Sequence, residues 1–259
     1  MMKTGIFSWF SYPMPIEERL RLIKASGFEA VSLWWGDADK HLQPDAARRI
    51  GLEIDNVHAQ FPLTNDLWLD QPAGDEYLKA LISCVEDCHQ HAIPTVVVHI
   101  NGAKDDVEIT DTGIKRINRL VEHAEKAKVH LAFENWIHLR HLDYVFDHIK
   151  SEYLGFCYDS GHENFSREGI DCLSRYGDRL FAVHLDDNFG DHDTHLLPFD
   201  GTVDWAGVKA KLATCRKLEY LTLEVDFNTK HEKSQIYKEL SAEGFLTLAY
   251  QRLRKLMVE

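Results

Sequence analysis

Strand-like and helix-like segments alternate along the whole length of the chain. Short apolar runs are each followed by a segment in which apolar residues recur every three or four positions. Strict alternation of this kind predicts a parallel sheet whose strands are joined by helices. Eight such units within 259 residues favour a closed (β/α)8 barrel, the TIM barrel, as a single domain over residues 1–259.

Apolar periodicity, together with Pro and Gly, sets the predicted boundaries. The predicted strands are residues 3–9, 28–35, 52–58, 94–100, 129–134, 153–159, 179–185 and 220–225. The predicted helices are residues 15–26, 44–50, 75–91, 110–126, 140–149, 168–176, 203–215 and 233–256. An open α/β sheet would gather its site near a glycine-rich turn, and the sequence has neither a G-x-G-x-x-G motif nor a P-loop.

Charge and composition argue against several classes of protein. The net charge is −13, so nucleic-acid binding, which depends on Lys and Arg neutralising phosphates, is not expected. No apolar run reaches 18 residues, and the first residues do not resemble a signal peptide, so we expect a cytoplasmic protein without membrane contact. The five cysteines are odd in number and scattered, which favours free thiols over disulfides.

Metal-ligand side chains stand at the C-terminal ends of six predicted strands. A lone histidine in an apolar strand, such as His184, is more often a core residue than a ligand. The recurrence changes that interpretation, because the C-terminal ends of barrel strands meet at one face, where barrel active sites are built. The six strand-end residues are His58, His99, Glu134, Asp159, His184 and Glu224.

Three further polar residues follow the sixth and seventh predicted strands. His162 comes three residues after Asp159, and Asp193 and His195 form an Asp-x-His pair in the next loop. Imidazole and carboxylate groups are common ligands of divalent transition metals. The sequence therefore predicts a metal-dependent site at the C-terminal face of the barrel.

Four segments give the chain a resemblance to a known family. They are Phe133-Glu134-Asn135, Asp159-Ser160-Gly161-His162, the segment from His184 to Asn188, and the loop from His195 to Trp205. Together they resemble the xylose isomerase-like TIM barrels, which include sugar isomerases, sugar epimerases and endonuclease IV. The resemblance covers nearly the whole chain.

The resemblance implies which residues hold the metal. The shared metal of that family would be bound here by Glu134, Asp159, His184 and Glu224. The additional ligands of the three-zinc endonucleases would correspond to His58, His99, His162, Asp193 and His195.

The loop after the seventh strand departs from the family pattern. Relatives have Pro-Gly-x-Gly there, whereas this chain has Phe199 and Asp200 between Pro198 and Gly201. A bulky residue does not reach a positive φ cheaply, so we expect this loop to take another shape. The second strand also ends differently, with Ser32 and Trp34 where an acidic residue is frequent.

The resemblance implies a divalent-metal-dependent isomerase or epimerase of a sugar, sugar phosphate or related polyol carbonyl. Glu134 and Glu224 would remove and return a proton, and His162 would orient a substrate oxygen. Mixed nitrogen and oxygen ligands leave Mn²⁺, Mg²⁺, Co²⁺ and Zn²⁺ open. Trp34 and Trp136 would form an apolar wall, although barrel packing explains such residues at least as well.

Other functions stay open from the sequence. One is an endonuclease IV-like zinc phosphodiesterase, of AP endonuclease family 2, which the ligand types favour and the acidic charge opposes. Another is a dehydratase of a sugar-like acid on the same site, and a third is a barrel that only binds a sugar. We expect a small sugar-like molecule as the partner, and the sequence is compatible with a homo-oligomer.

Overall fold

The computed structural model describes residues 2–102, 106–166, 169–227 and 232–258. Its eight strands are all parallel and pair in chain order, with β8 closing onto β1, so the predicted TIM barrel is confirmed. The strands are β1 (Lys3–Phe7), β2 (Ala30–Trp34), β3 (Glu53–His58), β4 (Thr95–Val98), β5 (His130–Glu134), β6 (Leu154–Asp159), β7 (Leu180–Leu185) and β8 (Tyr220–Leu223).

Helices surround the barrel on the outside. They are α1 (Ile16–Ala25), α2 (Gln43–Ile50), α3 (Pro72–Gln90), α4 (Asp111–Ala127), α5 (Arg140–His148), α6 (Ser160–Phe165), α7 (Cys172–Tyr176), α8 (Trp205–Leu212) and α9 (Ala242–Val258). Short 3-10 helices occupy Lys40–Leu42, Thr64–Trp68, Gly177–Arg179 and Glu232–Tyr237. The main apolar core combines outward-facing strand residues with the inner faces of these helices.

Two predicted helices differ from the observed ones because polar side chains start new helices. The predicted helix at 168–176 corresponds to the shorter helix α7. It begins after Asp171, because the Asp171 side chain accepts a hydrogen bond from the Ser174 N–H. Glu168, where the predicted helix begins, lies outside the described residues. The predicted helix at 233–256 is divided into the 3-10 helix Glu232–Tyr237 and helix α9. In the first turn of α9 the Ser241 hydroxyl accepts a hydrogen bond from the Gly244 N–H.

The inside of the barrel carries one residue from each strand end at its C-terminal face. Beneath them on the β4–β7 side lie small apolar residues, Val97, Ala132, Cys157 and Ala182. The upper ring consists of Phe7, Trp34, His58, His99, Glu134, Asp159, His184 and Glu224. The fold therefore collects six of the predicted ligand residues at one level.

The cysteines agree with the prediction made from composition. Each of the five cysteines is a free thiol, and burial raises the pKa of Cys157. Within the described residues, no helix combines the length and apolar character needed to span a membrane.

A buried arginine holds the segment that connects β3 to α3. Arg116 is 4% exposed, and its guanidinium donates hydrogen bonds to the carbonyl oxygens of Asp66, Leu67, Leu69 and Gln71. Its Nε lies 3.0 Å from Asp75 Oδ1. Because this segment forms one side of the barrel mouth, Arg116 fixes the outer boundary of the site.

We expect Arg116→Met to lower the free energy of unfolding by about 3–5 kcal/mol, since it leaves buried carbonyl groups without donors. Asp75→Asn is the matched control: the Asp75 side chain is 56% exposed, so the loss should stay below about 1 kcal/mol. Urea denaturation followed by circular dichroism measures both. Equal losses in the two variants would show that the carbonyl contacts do not stabilise the fold.

Candidate metal centre

Glu134 lies at the centre of the upper ring, at the end of β5. Its carboxylate is fully buried, and its Oε2 lies 3.2 Å from His58 Nε2 and 3.0 Å from His99 Nε2. Its other oxygen, Oε1, lies 2.8 Å from His184 Nδ1. One carboxylate thus meets imidazoles from three different strand ends. Burial alone would raise the pKa of Glu134, but His184 and His99 hold it well below its ordinary value.

His184 joins Glu134 to Glu224. Its Nδ1 lies 2.6 Å from Glu224 Oε2, and its side chain is completely buried. Burial disfavours the charged imidazole, yet the two carboxylates help to raise the pKa of His184 well above its usual value. Burial would raise the pKa of Glu224, but His184 lowers it to about 2. The surroundings therefore favour positive charge between these two glutamates.

The hydrogen bonds of the histidines are those that metal ligands make. Nδ1 of His58 lies 2.8 Å from the Ala59 carbonyl oxygen, and Nδ1 of His162 lies 3.0 Å from that of Asn135. Nδ1 of His195 lies 2.9 Å from the Glu224 carbonyl oxygen. A neutral imidazole that donates through Nδ1 directs the lone pair of Nε2 at the facing carboxylate. A cation or a proton must therefore lie between them.

These residues fit a divalent metal ion. Ligand atoms of His58, Glu134, His184 and Glu224 all lie within 4.8 Å of one another. Among the described residues, the buried oxygen Asp159 Oδ2 has no hydrogen-bond partner, and the neighbour of Glu224 Oε2 is His184 Nδ1, at 2.6 Å. A buried carboxylate oxygen without a partner is costly, and a bound cation would remove that cost.

Asp159 lies apart from this group of four. It belongs to a second possible group, with Glu134 and His162, whose ligand atoms are equally close. Its Oδ1 accepts a hydrogen bond of 2.6 Å from the His162 N–H at the start of α6. The structure thus brings Glu134, His184 and Glu224 together as predicted and adds His58 to them, whereas Asp159 joins Glu134 in the second group. Their role as ligands stays a prediction.

A further group is formed by His162, Asp193 and His195. Asp193 Oδ2 lies 3.3 Å from Nε2 of both histidines. Burial would raise the pKa of Asp193, but the two imidazoles hold it well below its ordinary range. Asp186 belongs to the segment from His184 to Asn188 but was not predicted as a site residue; its Oδ2 lies 3.8 Å from His195 Nδ1. Its place directly after the ligand-bearing strand was the signal that could have identified it.

Asp187 organises the loop that carries Asp193 and His195. Its carboxylate accepts hydrogen bonds from the backbone N–H groups of Asn188, Phe199 and Val203 and from the Trp205 indole. Phe199 has a φ of 75°, so the expectation that this residue avoids positive φ is wrong. Such a conformation costs about 1–3 kcal/mol. Hydrogen bonds to a charged group, at about 1.5–3 kcal/mol each, outweigh it.

Aromatic side chains border the centre on two sides. The ring centroid of Trp34 lies 5.6 Å from that of His58, and the centroid of Trp136 lies 4.0 Å from that of His162. Trp136 lines a cavity of about 500 Å³, and Trp34 lines a neighbouring one of about 270 Å³. Phe61 borders both cavities. The predicted aromatic residues therefore lie where a bound molecule would touch them.

The wall of the larger cavity also contains residues that the sequence analysis did not include. Thr64, Asn65 and Asp66 belong to the 3-10 segment that Arg116 anchors, and all three line this cavity. Their position depends on long-range contacts, such as the hydrogen bond from the Gly102 N–H to Asn65 Oδ1. No local sequence signal marks them.

Comparison with known proteins supports the family resemblance. A family model described as xylose isomerase-like TIM barrel matches residues 20–242. An uncharacterised protein, y4fM of Sinorhizobium fredii, is 34% identical over 251 residues, which cover 78% of each chain.

Two solved structures share the fold over nearly their entire length. A D-tagatose 3-epimerase-like protein is 21% identical, with a TM-score of 0.75, and the match covers 99% of this chain and 98% of that one. The IolI protein, solved with a bound zinc atom, is 16% identical, with a TM-score of 0.79 and 98% of both chains covered. At such identities the likeness shows the fold. Since the family model extends over most of the sequence, the chain belongs to the xylose isomerase-like TIM barrel family.

Proposed function

We propose that the protein is a divalent-metal-dependent isomerase or epimerase of a sugar, sugar phosphate or related polyol carbonyl. The observation that carries the proposal is the arrangement of Glu134 and Glu224 on either side of His184, with a cavity of about 500 Å³ above them. The D-tagatose 3-epimerase-like neighbour, whose fold is similar, supports a sugar as the substrate.

A mixed set of imidazole and carboxylate ligands suits Zn²⁺, Co²⁺ or Mn²⁺, with Mg²⁺ less favoured because it prefers oxygen ligands. The proposed ligands are Glu134, His184 and Glu224 with His58 or Asp159. When bound, such an ion supplies Lewis acidity that makes a proton next to a carbonyl group easier to remove.

Glu224 is the group placed to take that proton. It borders both cavities, and its side chain is 12% exposed, whereas Glu134 is completely buried. Glu224 is ionised at neutral pH, which is the form in which a carboxylate can accept a proton. Glu134, which three histidines surround, serves first as a ligand and second as the group that returns the proton.

His162 and the tryptophans position the substrate in this proposal. His162 uses Nδ1 on the Asn135 carbonyl, so a substrate oxygen next to Trp136 would bind Nε2 in competition with Asp193, whose Oδ2 lies 3.3 Å from that nitrogen. Trp34 and Trp136 supply flat apolar surfaces and reduce the access of water. A dehydratase of a sugar-like acid would use the same groups, and the release of water from its product distinguishes it.

Glu224→Gln tests the assignment of the base. We expect exchange of substrate hydrogen with D₂O, assayed on ketoses by NMR, to fall by about 10²–10⁴-fold, because the amide cannot accept the proton. Glu219→Gln is the control, since that side chain is 62% exposed and pairs with Lys3 at the other end of the barrel. Undiminished exchange in Glu224→Gln would contradict the role of this residue.

A second candidate function is a zinc phosphodiesterase of the endonuclease IV type. The observation that favours it is the additional group of His162, Asp193 and His195 beside the first one. Ligand types for three metal ions are then present around one cavity. Against it, the described residues that line this cavity include Asp66, Asp193 and Glu224 but no Lys or Arg.

Zinc stoichiometry separates the two functions. A phosphodiesterase predicts close to three zinc ions per chain and cleavage of abasic DNA, whereas the isomerase needs one. In the three-zinc case Asp193→Asn should remove about one equivalent, because it eliminates a single site. Elemental analysis of the dialysed protein measures this. One equivalent of zinc in both the unchanged protein and Asp193→Asn, without cleavage of abasic DNA, would exclude the phosphodiesterase function.

A further inference from the structure

The inside of the barrel is polar on one side, beneath the edge of the metal centre that joins His58 to Glu224. On this side, from β8 through β1 and β2 to β3, the level below the upper ring is occupied by Thr222, Gly5, Ser32 and Asn56. On the opposite side, the same level contains only the small apolar cluster of Val97, Ala132, Cys157 and Ala182. Buried polar groups cost free energy unless they have partners, so their presence here calls for a reason.

Asp55 is the centre of this polar network. It is 6% exposed, and its Oδ2 accepts hydrogen bonds from Thr222 Oγ1 at 2.5 Å and from Asn56 Nδ2 at 3.0 Å. Asn56 Oδ1 in turn accepts a bond of 2.5 Å from Ser32 Oγ. The network therefore ties together β2, β3 and β8, although β3 and β8 are not neighbours in the sheet.

Two backbone features make the hydrogen bond between Asp55 and Thr222 possible. Along β2, Val31 pairs with Ile54 and Ser32 pairs with Asn56, so Asp55 is an extra residue in a β-bulge. On β1, a Cβ atom at Gly5 would lie 2.4 Å from Thr222 Oγ1, so only glycine leaves room for the hydroxyl to reach Asp55. The bulge and the glycine together permit a direct bond across the inside of the barrel.

The hydrogen bond between Asp55 and Thr222 lies beneath the edge of the metal group that runs from His58 to Glu224. Asp55 comes three residues before His58, and Thr222 comes two residues before Glu224. Glu134 already contacts His58 and His184 directly, and His184 contacts Glu224. His58 and Glu224 are separated by two strands, β1 and β2, whose upper residues are the aromatic Phe7 and Trp34.

We infer that Asp55 is a positioning residue for the metal centre, which sets the distance between His58 and Glu224 through its hydrogen bond with Thr222. The inference rests on the proposed function, since it assumes that these two residues are ligands. Residues that orient metal ligands without touching the metal typically change its affinity by about 10–100-fold when they are mutated. Neither Asp55 nor Thr222 reaches the cavities.

Thr222→Val and Thr222→Ser form a matched pair for the test. Valine replaces the hydroxyl with a methyl group of similar size, whereas serine keeps the hydroxyl. In titrations of the full-length protein with Co²⁺, we expect Thr222→Val to bind about 10–100-fold more weakly and to show shifted visible absorption bands. Thr222→Ser should resemble the unchanged protein in both respects, and circular dichroism verifies the fold.

The other end of the bond gives a second pair of variants. Asp55→Asn keeps an oxygen that accepts from Thr222 and should behave like Thr222→Ser, whereas Asp55→Ala removes the acceptor and should behave like Thr222→Val. Unchanged affinity and spectrum in both Thr222→Val and Asp55→Ala would overturn the inference and leave the proposed metal centre standing. Unfolding of both variants would assign the bond to barrel stability and would overturn it too. Failure of the unchanged protein to bind Co²⁺ would overturn both proposals.

Discussion

The carboxylate of Glu134, buried among three histidines, is the interaction on which the rest of the site depends. An ion pair or a metal ligand at zero exposure is tolerated only where all its partners are in place. Here the partners come from β3, β4 and β7, so barrel closure is needed to bring them together. At this centre the pKa values of Glu134 and Glu224 are lowered and that of His184 is raised, so each change favours the charged form, carboxylate or imidazolium, that faces the opposite charge.

The barrel and most of the site follow from the sequence because they depend on local patterns. Alternating apolar periodicities identify strands and helices, and parallel closure then places the strand-end residues, from His58 to Glu224, at one face. Which of these residues group together within that face cannot be predicted from the sequence. Whether His58 or Asp159 completes the first group depends on strand register and on the bond between the His162 N–H and Asp159, which no single segment encodes.

The less predictable parts of the site are held by buried charges from distant segments. Arg116 binds the carbonyl groups of the segment after β3, Asp187 fixes the loop with Phe199 at positive φ, and Asp55 links β3 to β8. Each is a charged residue that composition alone would place on the surface. In each, long-range partners compensate for burial, so the purpose of the residue is visible only once the chain is folded.

X-ray absorption spectroscopy at the zinc edge, on protein loaded with one equivalent of Zn²⁺, tests the central claim most directly. The account predicts a ligand shell of nitrogen and oxygen only, with scattering from one or two imidazoles that corresponds to His184 with or without His58. Glu134→Gln should weaken zinc binding. A shell that contains sulfur, a shell without imidazole, or a protein that takes up no zinc would contradict a metal centre built on Glu134.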